Sequence, residues 1–135
     1  MESSRFPGKP LVKILGKSLI ERVVENTGSI ESGDAMVCES WVVTDNEIIE
    51  GHIKSFGGNV CRIDEEVVSG SERIYLAYKK YFKKRSFDLI INVQGDEPLL
   101  RGKDLRRLAE FHLNNLFNIT TIVRKHIGRP SLNDP

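Results

Sequence analysis

The sequence predicts an α/β domain with a mostly parallel sheet, because strand-like apolar runs alternate with segments of helical periodicity. The strand-like runs are short and rich in β-branched residues, as at 41–43, 60–63, 89–93 and 119–123. Between them, apolar residues recur every three or four positions, as they do along one face of a helix. With connections of ordinary length, this alternation is typical of a sheet whose strands run parallel.

The first three helices are predicted from their apolar spacing and from the residues that flank them. The first begins near Leu19, after a loop. The second follows the run 41–43 and ends at Gly57–Gly58, one of which we expect in the left-handed conformation of a C-cap. The third begins at Ser69 and runs into the basic stretch 79–85, where positive charge suits a helix C-terminus.

The second half of the chain is predicted to contain a strand, a helix and a final strand. Residues 89–93 form an apolar run without polar alternation until Asn92, which is typical of a strand covered on both faces. Apolar residues between 105 and 116 repeat at helical spacing, and the β-branched run 119–123 follows. We expect two further parallel strands joined by one helix.

Length, composition and charge limit the possible classes of protein. The 135 residues are enough for one domain, and a net charge of +1 gives no global field that would attract nucleic acid or an anionic membrane. The cysteines Cys38 and Cys61 lack metal-ligand spacing and do not suggest a secreted disulfide scaffold. No apolar run is long enough to span a bilayer, and Met1 precedes a polar segment. We therefore expect a cytoplasmic protein.

The loop 3–11 combines two cations with two prolines and a glycine. Pro7 and Pro10 forbid a regular helix, so Arg5 and Lys9 lie on a stiffened loop whose Gly8 permits close approach of a ligand. Such a loop can neutralise a triphosphate, although the Walker pattern is missing. The alternative is a solvated turn with two surface cations.

The segment 92–98 places carboxylates directly after the apolar run 89–93. In open α/β sheets, ligands bind outside the carboxyl ends of the strands, and a carboxylate such as Asp96 can hold Mg²⁺ together with substrate phosphates. The alternative is a polar turn whose acids favour the next helix N-terminus.

Two hydroxyl-x-x-Glu patterns, at 44–47 and 69–72, match the capping box of a helix start. A cap can also deliver polar groups to the edge of the sheet, so the structural and functional interpretations are compatible. The three histidines, His52, His112 and His126, belong to no ligand pattern and support no catalytic triad.

In this order, these segments resemble the motifs of the 3-deoxy-manno-octulosonate (Kdo) cytidylyltransferase family. The family's Ser-Thr-Arg-Leu-Pro-Gly-Lys-Pro-Leu motif closely matches residues 3–11. Its motifs Ile-x-Gly-Lys-Pro, Ala-Thr-Asp, Gly-Gly-x-Val, His-x-Ser-Gly-Thr-Glu-Arg and Val-Gln-Gly-Asp-Glu-Pro are similar to 14–18, 43–45, 57–60, 67–73 and 93–98. The resemblance covers essentially the whole chain and implies a Rossmann-like nucleotidyltransferase fold.

The chain departs from the family pattern in three respects. Val67 stands where the family has His, and Ser71 where it has Thr. The family begins with an apolar strand ending in Ile-Pro-Ala-Arg, whereas Met1 lies beside the phosphate loop. The family also continues well past the position of Pro135, with most sugar contacts, a second Mg²⁺-binding Asp and a dimer-forming segment. We therefore expect residues 1–135 to be a truncated nucleotide-binding domain, inactive or impaired on its own.

The resemblance implies an activity and a role for each site residue. The activity is transfer of CMP from CTP to Kdo in lipopolysaccharide biosynthesis, in the cytoplasm, with Mg²⁺ as cofactor. The family forms homodimers, but its dimer-forming segment is missing here. From charge and hydropathy we expect binding to neither nucleic acid nor a membrane. Arg5 and Lys9 would hold phosphates, Asp96 would hold Mg²⁺, Thr44 and Asp45 would shape the pocket edge, Ser69 and Gly70 would frame the cytosine, and Gln94 would face the sugar. Lys9 and Asp96 are the predicted catalytic residues.

Two alternatives stay open. The first is a cytidylyltransferase for another acidic sugar, such as a sialic acid or an 8-amino relative of Kdo. The second is a non-catalytic remnant that at most binds a nucleotide or pairs with another chain.

Overall fold

The fold is an α/β arrangement in which helices pack around a short parallel strand pair. A computed structural model of the chain describes residues 8–31, 38–115 and 117–123. The strands are β1 (Lys13–Ile14), β2 (Lys17–Ser18), β3 (Val42–Thr44) and β4 (Val60–Arg62). The α-helices are α1 (Leu19–Gly28), α2 (Glu47–Ser55), α3 (Gly70–Ala77) and α4 (Gly102–Asn115), and α3 continues as one wider π-helical turn over Tyr78–Phe82.

The pair β3–β4 is parallel and has the β-α-β connection that the sequence predicts. Val43 lies opposite Cys61, and the backbone N–H of Ile63 donates to the carbonyl of Thr44 at 3.0 Å. Helix α2 makes the crossover between these strands, and Gly57 ends the connection with φ 80°, the left-handed conformation expected there. The predicted α/β class with a parallel sheet is therefore confirmed. Strands β1 and β2 form a separate antiparallel hairpin.

A small apolar core lies between this strand pair and α3. Cys61, Ile63 and Ala77 are buried there, and Val43 and Leu76 pack against them. Burial raises the pKa of the Cys61 thiol. Helix α1 contributes further buried residues and packs against α4.

Two of the predicted strands, 89–93 and 119–123, are not strands in the structure. Both segments lack ladder pairing among the described residues. Residues 89–93 alternate between half-buried and exposed, and Ile90 is 51% exposed, so this segment is not covered on both faces. The physical reason is that no strand in the described part of the chain lies alongside to supply hydrogen-bond partners.

The observed helix caps match the predicted capping boxes only in part. Asn46, not Thr44, caps α2, since its Oδ1 accepts hydrogen bonds from the N–H groups of Ile48 and Ile49. Thr44 instead accepts from the N–H of Asn46. Thr44 is the last residue of β3, so two positions separate it from the helix and its hydroxyl cannot serve as the cap.

Ser69 caps α3 as predicted, because its Oγ accepts from the N–H of Glu72 at 3.1 Å. The Glu72 carboxylate, however, accepts from the N–H of Val68 at 2.9 Å. A complete capping box occurs instead at Ser18 and Glu21, at the start of α1.

Candidate functional site

A pocket of about 420 Å³ lies beside β3, between the N-terminal ends of α2 and α3. Its volume is within the range of small-molecule sites. The residues that line it are Pro10, Ile20, Val42, Val43, Thr44, Asp45, Ile49, Val67, Ser69, Gly70, Arg73, Gln94 and Gly95. Five separate segments of the chain therefore meet here, at the end of β3 where ligands bind in α/β sheets.

Five of the predicted site residues line this pocket. Thr44 and Asp45 lie at the carboxyl end of β3, Ser69 and Gly70 at the start of α3, and Gln94 on the turn 94–97. The structure thus brings together residues that are up to 50 positions apart in the sequence, from Thr44 to Gln94. Arg5, which is predicted to bind phosphates, lies outside the described residues.

Lys9 and Asp96 meet at the rim of the pocket, next to the lining residues Pro10 and Gly95. Lys9 Nζ donates to Asp96 Oδ2 at 2.6 Å, although 87 positions separate the two residues. Their side chains are 53% and 40% exposed, so both groups remain accessible to a ligand. The hydrogen bond from the Lys9 ammonium holds the pKa of the Asp96 carboxyl below its usual value. Asp96 is therefore a carboxylate at neutral pH.

Helix α1 holds the turn that carries Gln94 and Asp96. The Asn26 side chain donates to the Pro98 carbonyl at 2.8 Å, directly after this turn. On the same side, a Cβ placed on Gly95 would lie 3.0 Å from Ile20 Cδ1, so the turn approaches α1 more closely than most side chains allow. These two contacts fix the turn against the helix that also borders the pocket.

Arg73 is a site residue that the sequence analysis did not select. Arg73 lines the pocket, is only 20% exposed, and its guanidinium lies 2.5 Å from the Asp45 carboxylate. The hydrogen bond from Arg73 lowers the pKa of Asp45. A signal was present, because Arg73 follows Ser69 by one helical turn and so shares its side of α3.

The site therefore contains the ammonium group of Lys9, the guanidinium group of Arg73 and the carboxylates of Asp45 and Asp96. Lys9 and Arg73 can bind anionic oxygens, and the Asp96 carboxylate can bind a divalent cation. Within residues 8–31, 38–115 and 117–123, no three His, Cys, Asp or Glu side chains cluster as a metal site. A cation at Asp96 would thus take its other ligands from water and a substrate, as Mg²⁺ commonly does.

The histidines take no part in this site among the described residues. His52 Nε2 is hydrogen-bonded to Ser18 Oγ at 2.7 Å, and His112 Nδ1 to Thr120 Oγ1 at 2.9 Å. Both rings are thus hydrogen-bonded away from the pocket lining, and His126 lies outside the described residues.

Comparison with known proteins gives consistent matches along the chain. The family model described as "Cytidylyltransferase" matches residues 1–132. A 3-deoxy-manno-octulosonate cytidylyltransferase of Cytophaga hutchinsonii is 39% identical over 133 residues, which cover 98% of this chain and 50% of that protein. The enzyme of the same name from Chlamydia trachomatis serovar L2 is 42% identical over 113 residues, which cover 84% of this chain and 42% of that protein.

A solved structure shares the same fold. It is described as CMP:2-keto-3-deoxy-manno-octonic acid synthetase complexed with CTP, and it is 35% identical to this chain with a TM-score of 0.71. The match covers 84% of this chain and 44% of the solved one. The chain therefore spans about half the length of the proteins that it resembles.

Proposed function

Because the chain belongs to the cytidylyltransferase family, we propose that it forms the CTP site of an enzyme that transfers CMP from CTP to Kdo. The observation that carries this proposal is the position of Lys9 and Asp96, which meet at the rim of the pocket beside Gln94. A cation and a carboxylate at one rim suit a nucleoside triphosphate and the Mg²⁺ that accompanies it. We choose Kdo as the sugar because the relatives are named as Kdo cytidylyltransferases.

In the proposed reaction, the anomeric hydroxyl of Kdo attacks the α-phosphorus of CTP. A phosphorus–oxygen bond forms to the sugar, the bond from the α-phosphorus to the bridging oxygen breaks, and diphosphate leaves. Mg²⁺ held at Asp96 would neutralise the charge of the leaving diphosphate. The hydroxyl proton passes to solvent. The protein's task is therefore to position the reactants and to neutralise charge, since phosphoryl transfer needs little covalent help.

We propose that the residues of the pocket bind different parts of the substrates, according to their positions. Lys9 would bind the phosphates, and Asp96 would hold Mg²⁺ together with phosphate oxygens. We place the cytosine against Ser69 and Gly70, the pocket edge at Thr44 and Asp45, and the sugar near Gln94. Arg5 would add a second phosphate contact.

The Lys9–Asp96 ion pair must open for this to happen. In the structure each group neutralises the other at 2.6 Å. An incoming phosphate would give Lys9 a new anionic partner, and the accompanying Mg²⁺ would give Asp96 a new cationic one. Each group would then exchange one oppositely charged partner for another, and neither would be left unpaired.

Titration with CTP tests the nucleotide site. Lys9→Ala should weaken CTP binding by at least about tenfold, since a phosphate contact is lost. Lys83→Ala removes an exposed lysine near the opposite end of α3 and should leave the affinity unchanged. Equal affinities of both variants, measured by calorimetry, would show that the loop at Lys9 is only a solvated turn.

Diphosphate release tests the reaction and its sugar. Purified chain would be incubated with CTP, Mg²⁺ and one of Kdo, a sialic acid or 8-amino-Kdo. Kdo-dependent release supports the proposed reaction, and a preference for another sugar identifies the first alternative. CTP binding without release under any condition would show that this chain alone is at most a nucleotide-binding part of such an enzyme. That this chain alone turns over slowly stays a prediction of the same assay.

We extend the proposal to the biological setting that the family implies. A Kdo-activating enzyme serves lipopolysaccharide biosynthesis and works on cytoplasmic CTP. In the described part of the chain, no helix is long and apolar enough to cross a bilayer. Homodimer formation stays a prediction.

A further inference from the structure

Lysines and aromatic rings are concentrated at the end of α3 that points away from the pocket. Five of the seven residues 79–85 are Lys or Arg, and all five cations are exposed. Together with Tyr75, Phe87 and Trp41, this segment forms what we call the basic–aromatic patch. Gly70, at the pocket, and Phe82, in the patch, are separated by roughly 18 Å of helix, whereas Trp41 directly precedes the pocket-lining residue Val42.

The lysines of the patch are not neutralised by neighbouring acids. Among the described residues, Lys79, Lys80, Lys83 and Lys84 have no ion-pair partner, whereas Lys9 and other lysines do. Arg85 alone is paired, through hydrogen bonds of 2.8 and 2.9 Å to Glu39. Four uncompensated positive charges therefore lie within two helical turns of each other.

Four aromatic rings of the patch are exposed, whereas Phe82 packs against the core. Trp41 packs edge-on against Phe82 with ring centroids 5.1 Å apart, and Phe82 packs against Phe87 at 6.0 Å. Trp41 and Phe87 are each 39% exposed, and Tyr75 is 57% exposed. Exposed aromatic residues next to lysines are typical of surfaces that lie at a membrane–water interface.

The ring geometry favours a lipid headgroup layer over nucleic acid. Lys79 Nζ lies 5.4 Å from the Tyr75 ring centroid, and Lys80 Nζ lies 5.5 Å from that of Tyr81. Arg85 lies over Phe87 at 5.0 Å. Bases of single-stranded nucleic acid need open ring faces for stacking, and here cations occupy a face of each of these rings. Lysine ammonium groups and ring edges suit anionic headgroups instead.

We infer that the basic–aromatic patch binds reversibly to the surface of membranes that contain anionic lipids. The overall charge of +1 is an average over the whole chain, whereas residues 79–88 contain five cations and one acid, Asp88. At physiological ionic strength, charges farther away than about 8 Å are largely screened, so a membrane responds to the local lysines. The inference does not depend on the proposed nucleotide site.

Vesicle flotation tests the patch, since bound protein floats with lipid and aggregated protein does not. The full chain would be mixed at low salt with vesicles of phosphatidylcholine plus phosphatidylglycerol, or of phosphatidylcholine alone. We expect binding only to the anionic vesicles and its loss at high salt. Lys79→Gln combined with Lys83→Gln should lower the partition coefficient about thirtyfold, from the usual contribution of each lysine.

The matched control is Lys13→Gln combined with Lys103→Gln. It removes the same charge from exposed lysines that have no ion pair among the described residues, and it should change partitioning little. Trp41 gives a second readout, because the sole tryptophan of the chain lies in the patch and its emission should shift to shorter wavelength on binding. Circular dichroism checks that all variants are folded as the parent chain is.

Three results would overturn the inference. The first is no flotation of the parent chain with anionic vesicles at low salt. The second is an equal loss of binding in the patch and control variants. The third is tighter binding to a single-stranded oligonucleotide than to vesicles at the same salt, lost in the patch variant, which would assign the patch to nucleic acid.

Discussion

Lys9 and Asp96 form an ion pair whose weakness suits a site that has to open. Both side chains are about half exposed, and exposed pairs contribute only about 0–1 kcal/mol to stability. A buried pair would instead be costly to separate, because each charge would be left without a partner. The partners can therefore be exchanged for phosphate and metal at little cost in free energy.

Asp96→Asn tests whether Asp96 is the metal ligand. In the parent chain, Mg²⁺ should tighten CTP binding, and the substitution should remove most of that effect because an amide is a far weaker ligand for Mg²⁺ than a carboxylate. Asp104→Asn is the control, since Asp104 also has a cation partner, Arg101, but lies outside the pocket lining. Calorimetry with and without Mg²⁺ compares the two variants. An undiminished Mg²⁺ effect in Asp96→Asn would refute the assignment.

The Asp45–Arg73 pair predicts a pH dependence of stability with a definite sign. The Asp45 pKa is lower in the folded chain than in the unfolded chain, chiefly through the hydrogen bond from Arg73. The stabilisation is therefore fully present above the ordinary carboxyl pKa of about 4 and is lost as pH falls through the folded-state pKa. Because Asp45 is 52% exposed, the contribution is below about 1 kcal/mol.

The matching experiment compares the parent chain with Asp45→Asn in urea unfolding at several pH values. The difference in free energy of unfolding should be constant near neutral pH and should shrink in acid. A difference that stays constant down to about pH 3, or that grows, would contradict the pKa argument.

Among the elements, α1 and α4 are held unusually close together at Gly102. A Cβ on Gly102 would lie 2.2 Å from Ser29 Oγ, 2.9 Å from the Asn26 carbonyl oxygen and 3.0 Å from the Ser29 carbonyl carbon. The last two atoms belong to the backbone at the end of α1, so they cannot turn aside. Since Asn26 also holds the turn at Pro98, this contact sets how α1 supports the candidate site.

Gly102→Ala should therefore destabilise the chain by about 1–3 kcal/mol through overpacking. Gly51→Ala is the control, because Gly51 lies within α2 and a Cβ there meets nothing within 4 Å. Alanine is the better helix former, so this substitution should stabilise by about 0.5–1 kcal/mol. Denaturant unfolding measures both. Equal effects of the two substitutions would show that the close packing at Gly102 has no energetic consequence.

The helices and the β3–β4 pair could be predicted from sequence because their signals are local. Apolar spacing, the glycines at 57–58 and the cap at Ser69 depend on neighbouring residues only. Strand formation at 89–93 also depends on a partner elsewhere in the chain, which the apolar run itself cannot reveal. The pattern therefore predicts a strand where the structure has a segment without ladder pairing among the described residues.

Sequence motifs predict most of the candidate-site residues, whereas a residue whose role depends on a tertiary contact is not predicted. Thr44, Asp45, Ser69 and Gln94 were selected from separate motifs, and they line one pocket. Arg73 is not predicted because its role in the site depends on an ion pair with the Asp45 carboxylate. Asp45 lies 28 positions earlier and becomes a neighbour of Arg73 only in the fold. Pairings of this kind are tertiary, so spacing within one motif cannot supply them.

The molecule as a whole combines a small core with a large exposed apolar surface. The buried set includes Ile53, Ile63 and Leu105, whereas Ile90, Ile119 and Val123 are 51%, 88% and 83% exposed. The last three lie in the segments 89–93 and 119–123, whose backbone has no ladder partner among the described residues. Exposed apolar segments with unpaired backbone groups are templates for pairing with another chain.

We therefore expect the 135-residue chain to self-associate with increasing concentration, through the segment 89–93. Ile90→Lys should reduce this association, because a charge on a segment without ladder pairing opposes edge-to-edge pairing. Ile48→Lys is the matched control, since Ile48 is 71% exposed but lies on α2, where helical hydrogen bonds satisfy the backbone.

Light scattering after gel filtration, over a range of concentrations, distinguishes the two causes of association. If exposed apolar area alone drove it, the more exposed Ile48 would matter at least as much as Ile90. If the unpaired backbone of 89–93 drives it, only Ile90→Lys lowers the average mass. Loss of association in both variants would thus reject the role of the backbone, and a parent chain that stays monomeric at all concentrations would reject the association itself.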